Sequence, residues 1–89
     1  MIKLTAVESR SDYQLSLRFS DGASGVYDFA TFIEANTEMT APLRDSAFFA
    51  RYFIELGALA WPNGLDFSAE SLHQRLQEAG KLQRSIKAA

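Results

Sequence analysis

Between Tyr13 and Phe19 the chain alternates: Tyr13, Leu15, Leu17 and Phe19 are separated by Gln14, Ser16 and Arg18. A period of two is the mark of a strand with one buried face. Ser20-Asp21-Gly22 ends the run. Asp-Gly accepts the positive φ of a tight hairpin turn, so the chain is predicted to reverse here and return as a strand over residues 23–29. Residues 2–8 read as a further strand, joined to the alternating one through Arg10-Ser11-Asp12. A three-stranded antiparallel meander is therefore predicted for the first third of the chain.

The period then changes. Phe29, Phe32 and Ile33 suit a helical turn, with Met39 beyond them, and Thr40-Ala41-Pro42-Leu43-Arg44-Asp45 reads as a loop punctuated by proline. Asp45 or Ser46 is placed to cap a short helix over 47–52 by accepting a free backbone N–H. Residues 53–56 and 58–61 read as strands broken at Gly57. Pro62-Asn63-Gly64 then forms a turn, because Pro presets φ and Asn and Gly accept left-handed geometry. Leu65-Asp66-Phe67 returns. Ser68 is the predicted cap of a final helix, with Glu70 in its first turn, Phe67 and Leu72 as a hydrophobic staple, Leu72, Leu76 and Ala79 as the apolar stripe, and Gly80 as the stop. The fold class is α+β: a small antiparallel sheet, meander plus C-terminal hairpin, with short helices packed on it. One domain spans 1–80, and 81–89 form a basic tail or a helical extension.

Composition supports a folded domain with a modest core. A chain of 89 residues buries only roughly 60% of its unfolded surface. The content of 47% apolar and 12% aromatic residues is too high for a disordered chain. Cysteine is absent, which removes disulfide frameworks and thiolate metal sites and fits a reducing compartment. The start has no basic region followed by an apolar run, and no stretch approaches the ~18 apolar residues of a membrane span. The expected location is the cytoplasm of a microbe. The net charge of −2 argues against general nucleic-acid binding, which runs on phosphate neutralisation. That charge is uneven: residues 1–69 are net acidic, while 70–89 are net basic through Arg75, Lys81, Arg84 and Lys87.

No catalytic constellation emerges. Glu70 and His73 have the spacing of a helical metal-ligand pair, but the chain has no second His and no Cys to complete a site, so His73 is expected to face solvent. The same lone His would have to serve any Ser-His-Asp site, and no Ser stands in a nucleophile-elbow motif. The carboxylate pairs Asp21/Asp28 and Asp66/Glu70 read as turn, strand-end and dipole residues. Lys81, Arg84 and Lys87, three apart, read as a solvated face of any continuing helix. Trp61 has two readings: it closes the core of an undersized domain, or it stands exposed at the lip of the turn as a partner anchor. With it, Pro62, Asn63, Gly64 and Asp66 form one candidate interaction surface, and Leu82 with Ile86, four apart on a helical extension, forms another.

Three strings occur in order: Phe-x-Asp-Gly at Phe19, Asp21 and Gly22 with a strand ending in Asp28-Phe29, Pro42-Leu43-Arg44-Asp45 followed by Phe48 or Phe49, and Trp61-Pro62-Asn63-Gly64-Leu65-Asp66. Together they resemble the bacterial domain-of-unknown-function family twenty-four forty-two, across about residues 3–75. The resemblance implies a small α+β domain, and it supplies no catalytic residues. Some similar chains carry a helix-turn-helix domain after this one, and residues 81–89 are too few for that. Genes of the family often lie beside another small protein, which implies a toxin–antitoxin-like context.

The expected function is a non-enzymatic protein-interaction module, a homodimer or the partner of a neighbouring small protein. It is expected to have no cofactor, no metal, no membrane attachment and no small-molecule substrate. The alternative is a DNA-associated regulator acting as a dimer through its basic tail.

Overall fold

The computed structural model describes residues 1–84. Strands β1 (Leu4–Ser9), β2 (Gln14–Phe19) and β3 (Ala23–Asp28) form the meander. Each neighbouring pair is antiparallel, with Leu17 of β2 opposite Val7 on one side and Gly25 on the other. The alternation sorts as expected. Leu15 and Leu17 are fully buried and Phe19 is 3% exposed, while Arg18 faces solvent. Tyr13 lies one residue before β2 and is half-buried. Its hydroxyl donates to the carbonyl of Arg44 at 2.7 Å, and its ring meets Phe49 edge-on at 5.1 Å.

Phe29 carries the chain off the sheet and into α1 (Ala30–Ala35), whose first free N–H, from Ala30, is accepted by Asp28 Oδ1 at 2.9 Å. A 3-10 turn over Ala41–Arg44 leads to α2 (Ser46–Phe49), capped by Asp45, which accepts from the Ala47 N–H. This helix is shorter than the predicted 47–52. Phe49 turns into the core, and Arg51 N–H closes back on the Phe48 carbonyl, so the chain leaves the helix at Ala50.

A second sheet follows, β4 (Phe53–Glu55), β5 (Ala58–Ala60) and β6 (Asp66–Phe67), all antiparallel. The predicted C-terminal hairpin is therefore the middle and edge of a separate three-stranded sheet. Its outer strand lies alongside β1. Leu4 N–H donates to the Gly57 carbonyl at 2.9 Å, and the hydroxyls of Ser9 and Tyr52 meet at 2.8 Å. One edge of each sheet, β1 and β4, therefore faces the other instead of solvent.

The last helix, α3 (Ala69–Glu78), starts where predicted, and Ser68 Oγ accepts from the Ser71 N–H at 3.1 Å. Phe67 and Leu72 join the same core cluster. The buried stripe differs from the prediction. It is Ala69, Leu72, His73 and Leu76, while Ala79 is exposed. Gly80, at φ +70, reverses the chain, and its N–H and that of Lys81 close back on the Gln77 and Leu76 carbonyls. This left-handed cap ends the helix.

The chain then returns to the sheet, so the predicted helical extension does not form over its described part. β7 (Gln83–Arg84) pairs with Ala23 and Ser24 of β3, giving the sheet order β1-β2-β3-β7. Leu82 packs half-buried against the core rather than standing out as a partner contact. Ile86 and Lys87 lie outside the described residues. Close seating of this return explains Gly25: a Cβ there would stand 2.9 Å from the Lys81 carbonyl oxygen and 3.0 Å from Leu76 Cδ1. Among the described residues, no helix is long and apolar enough to cross a membrane.

Candidate functional site

Three places bear on function, and the string around Trp61 is the first. Trp61 is 1% exposed, so the partner-anchor reading of this side chain is overturned and the core reading holds. An 89-residue domain has few large side chains to fill its centre, and this one does it. Phe29 and Phe49 each approach the indole at 5.7 Å and Phe67 at 6.0 Å. The buried indole N–H needs a partner and finds the Phe49 carbonyl at 2.9 Å. Asn63 Oδ1 accepts from Leu65 N–H, which shapes the turn, while Nδ2 donates to the Met39 carbonyl at 3.1 Å. Gly64 supplies a φ of +92. The string is thus a structural tie between α2, the Met39 loop and the second sheet. Pro62, Asn63, Gly64 and Asp66 do remain exposed, but without the aromatic anchor.

The second place is ionic. His73 was expected to face solvent, yet it is 6% exposed. Its Nε2–H donates to Asp21 Oδ2 at 2.9 Å, and its ring stands edge-on to Phe19 at 5.0 Å. Arg84 Nη1–H donates to the same Asp21 oxygen at 3.2 Å, and Asp21 Oδ1 accepts the Ala23 N–H at 2.9 Å. The Ala23 N–H above all, then the His73 hydrogen bond and the His73 and Arg84 charges, hold the Asp21 carboxyl below its ordinary value, against the opposing effect of burial. One carboxylate so joins the first hairpin, α3 and β7. The signal for His73 was in the sequence, because positions 69, 72, 73 and 76 lie on one side of a helix. Its partner, 52 residues away, left no local trace.

In this arrangement Asp21 accepts from His73, the Ala23 N–H and Arg84. Glu70 is exposed while His73 turns inward to Asp21, so the spacing of a metal pair does not become a pair. Asp21 and Asp28 sit at opposite ends of β3, the first tying α3 and the second accepting the Ala30 N–H at the start of α1. Among the described residues, no group of three or more His, Asp or Glu is placed to hold a metal.

The third place was missed by sequence reasoning, which took Gly57 only as a break. Leu56 and Gly57 form a two-residue turn between β4 and β5 with φ of +51 and +82. Positive φ at both positions defines a primed hairpin turn, for which Asn-Gly or Asp-Gly is the usual pair. Here the first position is a leucine, 96% exposed, and Phe53 and Ile54 below it are 40% and 39% exposed. The tip lies at the same end of the molecule as Asp21-Gly22: Lys3 bonds Ser20 through both its backbone groups, while the next residue, Leu4, bonds Gly57.

The family model described as "Protein of unknown function (DUF2442)" matches residues 4–78. The chain belongs to that family. The expected family is thereby shown, and DUF2442 in this chain takes an α+β form with two antiparallel sheets. Comparisons with curated proteins and with solved structures give no match. In this DUF2442 domain the Trp61 string builds the core. Phe53, Ile54 and Leu56 on the β4–β5 hairpin are exposed large apolar side chains.

Proposed function

We propose that this DUF2442 domain is a non-enzymatic protein-interaction module that contacts its partner through the β4–β5 hairpin. The observation that carries this reading is Leu56. Leaving a leucine in water forgoes roughly 1.5–3 kcal/mol of burial, and holding a non-glycine residue left-handed costs about 1–2 kcal/mol. Both penalties fall on one residue that stabilises nothing in the monomer. Single exposed apolar residues are ordinary, but Phe53, Ile54 and Leu56 are three such residues within one short hairpin. A partner covering the tip would recover the burial. The reading as non-enzymatic is supported by Asp21 and His73 being used to join structural elements. The partner we propose is a second copy of the chain or another small protein, as the toxin–antitoxin-like context of the family implies.

The test is association of purified wild type and Leu56→Asp. Wild type is expected to self-associate at micromolar concentration in sedimentation, or to form a stoichiometric complex with a partner that co-purifies from the native host and rebinds when mixed. Leu56→Asp melts no lower than wild type and loses the complex. A wild-type chain that stays monomeric and retains no partner overturns the reading, as does a Leu56→Asp variant that associates as wild type does.

A further inference from the structure

We propose that the outer face of the four-stranded sheet binds an extended acidic segment of a protein partner. This rests on the reading above, that the domain is an interaction module, but it uses a different surface. The inner face of the sheet carries Leu15, Leu17 and Phe19 and packs on the core. The outer face presents Ala6 and Glu8 from β1, Ser16 and Arg18 from β2, Ser24 and Val26 from β3, and Gln83 from β7. A groove of about 640 Å³ lies over it, and a second of about 290 Å³ adjoins it across the shared walls Ser24 and Gln83.

Charge decides what fits. Arg10 and Lys81 line the larger groove, and Arg18 and Arg84 line the smaller one. The chain as a whole is net −2, so this face runs against the average. Three acidic groups lie nearby, against the four basic ones: Asp21 joins His73 and Arg84, Asp28 accepts the Ala30 N–H, and Glu8 stands exposed opposite Ser16. Among the described residues, Arg10, Arg18 and Lys81 enter no ion pair. Guanidinium groups favour carboxylates because two N–H donors meet two oxygens in one plane. The floor of Ser16, Ser24, Gly25 and Val26 is low, which lets an extended chain lie close. The amides of Gln14 and Gln83 can both donate to and accept from a peptide backbone. Neither groove offers a platform for stacked bases: the larger has no aromatic wall, and the one aromatic of the smaller, Phe19, is buried on the inner face. Single-stranded nucleic acid depends on such a platform. An acidic peptide is therefore the better match.

A fluorescein-labelled hexaglutamate peptide is the probe. Its anisotropy is read with the full chain at about 10 mM and about 100 mM salt, where the screening length falls from roughly 30 to roughly 10 Å. Binding is expected at low salt and should weaken at the higher. In a parallel amide-shift titration the moving signals are Ser16, Ser24, Val26 and Gln83. Arg18→Ser combined with Lys81→Ser lowers affinity roughly tenfold, the scale of two partly screened charge contacts. Arg10→Ser alone, a milder change at an exposed turn, lowers it less and serves if the double variant does not fold. Any of four results overturns the proposal: no binding at low salt, affinity unchanged in the folded variants, shifts confined to residues 53–56, or tighter binding of a DNA duplex than of the peptide. Leu56→Asp leaves this titration unchanged, so the hairpin contact and the acidic-peptide groove fail separately.

Discussion

The two hairpin tips at one end of the molecule invert the usual arrangement. Asp21-Gly22 is polar, yet its carboxylate is drawn in against the buried His73 and joined by Arg84. Leu56-Gly57 is half apolar, yet its leucine points into solvent. Both turns are short, both end in a positive-φ glycine, and Lys3-Leu4 connects to both. The difference lies in what each tip holds. The side chain of the first fastens three elements of its own chain, while the second is held only through its backbone, by the Gly57 carbonyl accepting from Leu4, and its leucine fastens none. Turn chemistry that serves stability and, on the proposed reading, turn chemistry that serves contact occupy equivalent positions in one small domain.

The contrast can be broken at three points, beginning with the largest effect. Leu17 belongs to the strand leading into the first tip and is fully buried. Leu17→Ala is expected to cost about 2–5 kcal/mol in urea unfolding. A loss below about 0.5 kcal/mol, the range of ordinary surface changes, would show that the first hairpin is not the structural one.

Asp21→Asn comes next. It keeps the shape of the side chain and removes the charge that gathers three donors, and about 1–2 kcal/mol is expected once the partial exposure of the site is allowed for. The dependence on pH gives the sharper reading. The carboxyl of Asp21 titrates below its ordinary value in the folded chain. Its contribution is therefore complete above the unfolded value and is lost as pH falls toward the folded one. The gap in stability between wild type and Asp21→Asn should be open at neutral pH and should close in strong acid. A gap that stays constant would mean that the carboxylate charge plays no part.

The smallest effect has the opposite sign. Leu56→Asn restores the residue that a primed turn favours and should raise stability by roughly 0.5–1 kcal/mol in the same unfolding assay. A destabilised variant would mean that Leu56 supports the fold after all, and the two tips would then be alike.

Much of the fold was legible because its signals are local. The alternation through Phe19, the Asp-Gly reversal, the Ser68 cap and the Gly80 stop each depend on residues a few positions apart. What escaped depends on distance along the chain. β7 is two residues long, too short to have a period, and exists because Gly80 aims the chain back at β3 and Arg84 finds Asp21. His73 lay at the margin of a recognisable stripe, but only the fold brings Asp21 to it. Trp61 was legible as important, with the core as one of two readings, and only the fold, through Phe49 and its carbonyl, decides between them. Leu56 escaped for the reverse reason. Between two apolar strands it looks like one more strand residue, and its left-handed backbone cannot be read from composition.

Trp61 also makes the domain self-reporting. It is the single tryptophan of the chain, and its indole touches side chains from the end of the meander, from α2 and from the second sheet. Its fluorescence in the native state should be blue-shifted, and quenching by iodide should be slight, because the ring is dry. Neither proposed contact surface includes it. Emission will therefore remain constant while a ligand is added and will change only when the junction of the two sheets loosens, so one optical signal separates occupancy from unfolding without any label.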